Sequence, residues 1–438
     1  MNRRFCTIVS FIITGFGIYA QELITVEKAV ELALEHNYGI KVANSLVEVA
    51  ENNTSILNSD YLPTVTGNAG ATYNLDNTEA VFANGEVTNL NNAESSRYNA
   101  SVNLNYVLFD GLGRRYNYKS LKEQYQLTEL EARETIETTL LQLFSVYYSV
   151  AQLYENKKVL TQTLNISNDR LKRSKYQFEY GQVTKLDVLN AEVDINNDSI
   201  NLINISQELN NAKRDLNLVL GNSVLKVFDV ETEVNFAMLF NKEELLQKAI
   251  AQNVILQQAD KNILINQYEL KTGKSEYLPT IGLTGSYGWN ENNNNAAAFL
   301  AVLTNTGFSG GVNLTWNLFD GGRTLTRVKN ARVNLQIQEI QKEQLLATVK
   351  RDFENAWDDY QNKLTVFKIQ EENIITSQNN FDRTSEKFKL GQVNSIEFRQ
   401  AQLNFINAEL SRNQAKYQAK IAELEVLRLS GELLNTQI

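Results

Sequence analysis

Residues that could carry out catalysis or bind a metal ion are few in this sequence and lie far apart. His36 is the only histidine, and no cysteine or second histidine lies near it to complete a metal site. The acidic residues between 352 and 359 spread over two turns of a predicted helix, which is typical of a solvated face. No nucleophile is paired with a base, and the segment 111–115 lacks the third glycine of a dinucleotide-binding loop. We therefore predict no enzyme activity, no metal and no cofactor.

Two acidic residues follow glycine-containing turns at matching places. Asp187 ends the segment Thr-Lys-Leu-Asp after Tyr-Gly-Gln-Val, and Glu397 ends Asn-Ser-Ile-Glu after Leu-Gly-Gln-Val. Gly181 and Gly391 can adopt a positive φ and so end a helix. Thr or Asn followed three residues later by an acid is an N-cap sequence, and the carboxylate also interacts favourably with the helix dipole. The sequence thus predicts two helix–turn–helix hairpins.

The sequence segments that predict the elements around these turns also occur twice. The segments 59–67 and 275–283 both contain Tyr-Leu-Pro-Thr and hold the only two prolines, Pro63 and Pro279. Leu-Phe-Asp-Gly at 108–111 returns at 318–321, an offset of about 210 positions. We predict a tandem duplication with a secretory signal peptide over 1–20, a first repeat over 21–221 and a second repeat over 222–438.

Composition excludes several classes of protein. Cys6 lies in the predicted signal peptide, so the mature chain would have no disulfide and no thiol chemistry. The full chain carries 42 basic and 51 acidic residues, and loss of Arg3 and Arg4 would enlarge the acidic excess. This charge argues against nucleic-acid binding. No later segment reaches the ~18–20 apolar residues of a spanning helix.

Each repeat contains two segments that alternate apolar and polar residues, as strands with one apolar face do. The clearest segment runs from Tyr98 to Leu108, its counterpart runs from Phe308 to Leu318, and each proline opens a further strand. A soluble β-sheet would alternate in the same way. A length of about ten residues and aromatic residues near the strand ends favour strands that cross a bilayer. Long polar loops are expected over 74–97 and 290–307.

Four strands cannot close a barrel, and open strand edges are not tolerated in lipid. Several chains must therefore contribute to one barrel. Two chains would give a narrow barrel filled with side chains, whereas three would give twelve strands with room for a conduit. We favour three.

The remaining residues predict very long helices. Segments 115–180 and 324–390 contain no Gly or Pro, so each can form one helix of about 66 residues, or ~100 Å. Returning helices are expected over 184–220 and 394–430, and shorter helices over 38–58 and 254–275 could stack end to end on them. Interrupted heptads with Asn, Gln, Lys and Glu elsewhere favour a coiled-coil wall that is wet on both sides. The predicted class is therefore a mainly α, mixed α/β membrane protein.

The order of these motifs, duplicated, resembles the TolC-type outer-membrane efflux family. The resemblance rests on the signal peptide, Tyr-Leu-Pro-Thr opening a strand, Leu-Phe-Asp-Gly closing one, and the glycine turn before Leu-Asp-Val-Leu-Asn-Ala, and it covers about residues 23–433. It implies a homotrimer in the outer membrane of a two-membrane bacterium. A twelve-stranded barrel in outer-membrane lipid would continue as a helical tunnel in the periplasm. A periplasmic adaptor protein serving an inner-membrane transporter would open its base.

The resemblance also assigns roles to the hairpin tips. It places Asp187 and Glu397 at a periplasmic constriction, where Gln400 stands in place of a second acid of the family. Asn190 is the mirror of Gln400 in the first repeat. Adaptor docking would fall on the tip residues, which are Gly181, Gln182, Val183, Gly391, Gln392 and Val393.

Transport is therefore the predicted function. The chain would form a passive exit duct for small molecules or secreted polypeptides in a tripartite efflux pump or a type I secretion system. The alternative is a periplasmic structural or adhesin-like coiled coil with a soluble β cap.

Overall fold

The computed structural model describes residues 22–237 and 241–435, and the predicted signal peptide lies outside them. Within these ranges, no helix is both long enough and apolar enough to cross a membrane. A short 3₁₀ helix, Ile56–Asn58, follows the helix Tyr38–Asn53. The elements in chain order are β1 (Glu22–Ile24), α1 (Val26–His36), α2 (Tyr38–Asn53), β2 (Thr64–Val81), β3 (Val87–Asp110), α3 (Gly113–Glu179), α4 (Lys185–Val219), β4 (Phe228–Val230), α5 (Lys242–Gln252), α6 (Val254–Ser275), β5 (Thr280–Asn293), β6 (Val302–Thr315), α7 (Arg323–Lys389) and α8 (Ser395–Leu429).

The long helices form as the absence of Gly and Pro predicts. Helices α3 and α7 each have 67 residues, and α4 and α8 each have 35. The acid of each Leu-Phe-Asp-Gly segment begins the helix that follows. Asp110 Oδ2 accepts the backbone N–H of Arg114 at 2.8 Å, and Asp320 Oδ2 accepts that of Thr324 at 2.8 Å. The segment begins a helix in both copies, but it ends a strand only in the first, because β3 ends at Asp110 whereas β6 ends at Thr315. The predicted strand up to Leu318 is therefore three residues too long.

The shorter helices meet the ends of the returning helices. Asn37 begins α2 by accepting the N–H of Gly39, and its Nδ2 donates to the Val219 carbonyl at the end of α4, at 2.8 Å. Asn253 does the same for α6 and α8, donating to the Leu429 carbonyl at 3.2 Å. The predicted end-to-end stacking is therefore present. The first of these helices is shorter than predicted, because α2 ends at Asn53 and not at Asn58.

The glycine after each returning helix allows this close approach. Gly221 and Gly431 have φ of 68° and 73°. A Cβ on Gly221 would lie 2.4 Å from the His36 carbonyl oxygen, and one on Gly431 would lie 3.0 Å from Gln252. Only glycine fits both the backbone angle and the space at Gly221.

The main sheet is antiparallel, in the order β2-β3-β5-β6. Its register aligns the alternation of all four strands. Val102 pairs with Tyr287, which pairs with Phe308, and the adjacent row places Ser101 beside Gly288. One face is therefore mainly apolar and the other carries Asn, Ser, Thr and Gly. The edge strands β2 and β6 are exposed almost throughout.

The expectation of long polar loops is wrong. Strand β2 continues to Val81 and β3 begins at Val87, and β5 and β6 are separated only by residues 294–301. Residues on this outer part of the β2–β3 hairpin are mostly polar, and the few apolar ones, such as Leu75, Val81 and Val87, follow no regular alternation. Their backbone ladder needs no apolar face to form.

The main hydrophobic core lies where α3, α4 and α8 pack against the first described residues of the chain and against the segment that connects the two repeats. Strands β1 and β4 form a small parallel pair there that the sequence did not predict. Tyr147 of α3 connects the two, since its hydroxyl donates to the Ile24 carbonyl at 2.8 Å and accepts the N–H of Glu231 at 3.1 Å. Burial raises the pKa of Tyr147 well above its usual value, so the hydroxyl stays protonated.

Candidate functional site: the two hairpin tips

Each long hairpin turns on a glycine with a left-handed backbone. Gly181 has φ of 73° and Gly391 has φ of 71°. After each glycine the next N–H bonds back across the helix end: Gln182 to the Gln177 carbonyl at 2.7 Å, and Gln392 to the Lys387 carbonyl at 2.9 Å. This is the Schellman geometry that ends a helix and reverses the chain.

The predicted constriction acids close the caps of the returning helices. Asp187 Oδ2 accepts from the Thr184 N–H at 3.1 Å and from the Thr184 hydroxyl at 2.8 Å. Glu397 Oε2 accepts from the Asn394 N–H at 3.3 Å, while Asn394 Oδ1 accepts the Glu397 N–H at 2.9 Å. Both carboxylates are thus held at a helix N-terminus, which favours their negative charge. Gln400 lies one turn further on, exposed, and its Nε2 donates to Asn404 Oδ1 at 2.9 Å.

The apolar surface of the tips comes mainly from residues beside the predicted ones. Gln182 and Gln392 are exposed, but Val183 and Val393 are half-buried. Tyr180 and Leu390 are 80% and 71% exposed, and Leu186 and Ile396 of the following turns are 64% and 70% exposed. The sequence contained a signal for this apolar surface, because large apolar residues stand at matching positions before and after both glycine turns.

A buried charge network above the tips was not found from the sequence. Arg399 of α8 donates to both oxygens of Asp198 in α4, with Nη2–Oδ1 at 2.7 Å and Nη1–Oδ2 at 3.0 Å. Ser167 of α3 donates to Asp198 Oδ2 at 2.6 Å. Gln402 of α8 accepts from Arg399 at 3.0 Å. The bidentate pair joins the second hairpin to the first.

Asp194 of α4 connects this network to a second arginine. Arg170 of α3 donates to Asp194 through Nη2, and Arg399 Nε lies 3.5 Å from the other Asp194 oxygen. Arg170 and Asp198 are each only 4% exposed. Because Arg399 lies about 200 positions from its partner Asp198, no local pattern could have predicted this contact.

The other predicted residues lie beside the four-stranded sheet. Pro63 and Pro279 each come directly before the first residue of β2 and β5, where a missing backbone donor costs least. Asp320, just beyond β6, accepts from the Thr324 hydroxyl at 2.6 Å. That hydrogen bond, and the one from the Thr324 backbone, lower the pKa of Asp320.

The comparisons with known proteins identify the family of the chain. The sequence model described as outer membrane efflux protein matches residues 29–222 and 245–432. The chain belongs to the outer membrane efflux protein family. This membership confirms the predicted family, the outer-membrane location and the transport role, and favours them over a structural coiled coil.

Individual relatives are distant but extend over most of the chain. The outer membrane efflux protein BepC of Brucella suis is 21% identical over 94% of this chain and 87% of its own length. The outer membrane protein TolC of Vibrio cholerae is 21% identical over 78% of each chain. The crystal structure of the CmeC outer membrane channel of Campylobacter jejuni has a TM-score of 0.77 at 18% identity, covering 93% of this chain and 86% of CmeC. The predicted mainly α fold with four strands per chain is therefore confirmed.

Proposed function

We propose that three copies of this chain form one exit duct through the outer membrane and across the periplasm. The observation that carries this proposal is the sheet β2-β3-β5-β6, which has one apolar face, one polar face and two free edges. Open edges in lipid leave backbone groups without partners, so further copies have to cover them. Three copies supply twelve strands, enough for a water-filled interior.

The dimensions of the chain fit this arrangement. The alternating positions from Tyr98 to Leu108 cover ~33 Å of strand, or a height of ~25 Å at the usual tilt of barrel strands. Helices of 67 residues extend ~100 Å from the sheet. The polar sheet face would line the pore and the hairpins would form its periplasmic wall.

The hairpin tips would form the regulated end of the duct. We assign adaptor docking to the glycine turns, with Gln182 and Gln392 exposed, and to the adjacent side chains Tyr180 and Leu390. A periplasmic adaptor that joins the duct to an inner-membrane transporter would bind there. The supporting observation is that large apolar side chains remain exposed at both turns.

We assign the constriction to Asp187 and Glu397. Rings of carboxylates near the pore axis bind cations and narrow the opening. Because Gln400 is neutral, the second repeat supplies a single acid at its tip, and the constriction should hold cations more weakly than one with two acids. Transport would be passive, with small molecules or polypeptides driven by the partner transporter.

Conductance measurements test the constriction. The purified chain in planar bilayers should form ion-conducting channels, and Asp187→Asn combined with Glu397→Gln should raise the single-channel conductance. The matched control combines Glu48→Gln with Glu339→Gln, two exposed acids far from the tips, and should leave the conductance unchanged. An unchanged conductance in the tip variant would show that these acids only cap their helices.

A further inference from the structure

A cavity of about 690 Å³ lies between α3 and the ends of α7 and α8, just above the tips. We call it the tip cleft. Its aromatic wall consists of Phe381, Phe388 and Phe398, with ring centroids of Phe388 and Phe398 4.7 Å apart and those of Phe381 and Phe398 5.6 Å apart. A volume of this size is typical of small-molecule sites.

The charged residues of the lining are mainly cationic, in a chain of net charge −9. Arg170, Lys172, Arg173 and Lys389 line the tip cleft, against one acid, Asp169. Lys389 is paired with Glu386 at 2.7 Å, and Arg173 lies over the Phe388 ring at 5.7 Å. The local charge is therefore opposite to that of the whole chain and favours an anion.

Arg170 supplies a specific binding group within this lining. Its side chain is 2% exposed, and only Nη2 has a partner, in Asp194. Nε and Nη1 are buried without a hydrogen-bond acceptor. Such donors are costly to leave unpaired. Asp194 Oδ2 accepts only from Arg170 Nη2, and neither Asp194 nor Asp198 accepts a hydrogen bond from Arg170 Nε or Nη1.

This arrangement belongs to one hairpin only. At an offset of 210 positions the second repeat has Asn380 and Asp382 in place of Arg170 and Lys172, whereas Arg383 matches Arg173. The cationic lining is therefore not a by-product of the duplicated backbone. The first hairpin supplies most of the cations, and the second supplies the aromatic wall.

We propose that the tip cleft binds an organic acid with a flat apolar body. The carboxylate lies beside Lys172 and Arg173 and in the field of the buried, only partly paired Arg170 guanidinium, and the apolar body packs on the aromatic wall. Because the lining comes from both hairpins, such a ligand holds α3 against α7 and α8. This binding site is separate from the constriction acids and does not depend on the proposed export function.

Isothermal titration of the detergent-solubilised full chain with naphthalene-1-acetate tests this site. Naphthalene-1-acetamide has the same body without the charge. We expect the acid to bind with a Kd below 1 mM and at least tenfold more tightly than the amide. Equal affinity for the two, or no binding of the acid up to 10 mM, would overturn the proposal.

Variants locate the binding to the tip cleft. Arg170→Gln should abolish the preference for the acid, but it also removes a partner of Asp194. Lys172→Glu leaves the buried network intact and should weaken acid binding about threefold to tenfold with no effect on the amide. Lys368→Glu makes the same charge change at an exposed position of α7 outside the tip cleft and should have no effect. Equal weakening by both Lys variants would contradict the assignment.

A second probe separates a small molecule from a protein partner. Acetyl-Glu-Phe-amide presents a carboxylate and a ring on a peptide. If this peptide bound in the tip cleft and naphthalene-1-acetate did not, the site would be one for an acidic segment of another protein, and the proposal would be wrong.

Discussion

The two long hairpins of the molecule share one backbone and differ in their side-chain chemistry. Both have helices of 67 and 35 residues, a left-handed glycine at the turn and an acid in the cap of the returning helix. The first hairpin buries Ser167, Arg170 and Asp198 near its tip. At the same level the second buries Phe381 and Phe398 and contributes Arg399 to the network.

This difference shows which features a duplication keeps. Turns and caps are set by a few neighbouring residues, so each copy reproduces them by itself. Contacts between the hairpins need complementary residues in different copies, and these can diverge. In a ring of copies, unlike hairpins would alternate, and the tip region would have two kinds of surface.

The largest effect should come from the buried charge network. Asp198→Ala removes the bidentate partner of Arg399 and leaves a buried charge, so we expect a loss of ~3–5 kcal/mol in the free energy of unfolding. Asp169→Ala, at an exposed position of the same hairpin, should change it by less than ~0.5 kcal/mol. Denaturant unfolding in detergent, followed by circular dichroism, measures both. Similar values for the two variants would contradict the role of the network.

Three glycines with nearly the same φ allow a graded comparison of the repeats. Gly221→Ala adds a clash with backbone to a left-handed conformation and should cost ~3 kcal/mol. Gly431→Ala, with a contact of 3.0 Å, should cost ~2 kcal/mol, and Gly181→Ala, with no atom within 4 Å, only ~1 kcal/mol. The same unfolding measurement ranks them. Equal losses would mean that backbone strain alone matters and that the helix ends do not pack as described.

The two caps should differ in strength. Asn394 accepts the N–H of Glu397 at 2.9 Å, whereas the Thr184 hydroxyl donates to Asp187. We expect Asn394→Ala to cost ~1 kcal/mol locally and Thr184→Ala about half as much. Hydrogen exchange of the first-turn amides in α4 and α8 reports this directly. Faster exchange after the Thr184 change than after the Asn394 change would reverse the comparison.

The smallest predicted effect depends on pH. Burial raises the pKa of Glu409 in α8, partly offset by Arg412, so its carboxylate is less stable in the folded than in the unfolded chain. The contribution of Glu409 to the free energy of unfolding is therefore most favourable below the ordinary pKa of 4.5, where the carboxyl is protonated in both states. It falls as the pH rises through the pKa of the folded chain. Glu409→Gln should therefore raise stability at pH 7, by less than ~1 kcal/mol. At pH 4 it should have little effect. A gain in stability at pH 4 but not at pH 7 would contradict the predicted direction of the pKa shift.

Much of the helical architecture could be predicted because its signals are local. The bounds of α3, α4, α7 and α8 lie within two residues of those expected, and α6 has the bounds predicted for it. Glycine, proline and cap residues mark these ends wherever the chain folds. No comparable sequence signal predicts the early end of α2 or the three-residue strands β1 and β4.

The sheet and the tips each contain features that local sequence patterns predict and features that they do not. Alternation located β3 and β6, but it could not reveal the outer part of the β2–β3 hairpin, where polar and apolar residues do not alternate regularly. The cap residues around Asp187 and Glu397 were predictable from spacing alone. The partners of Arg399 were not, since they depend on how separate helices pack.

The mass of the folded particle tests the central claim most directly, namely that identical copies must cover the two free edges of the sheet. Native mass spectrometry of the mature chain extracted in mild detergent should give a single species of three chains. A monodisperse single chain that keeps its strands in water without detergent would contradict the account.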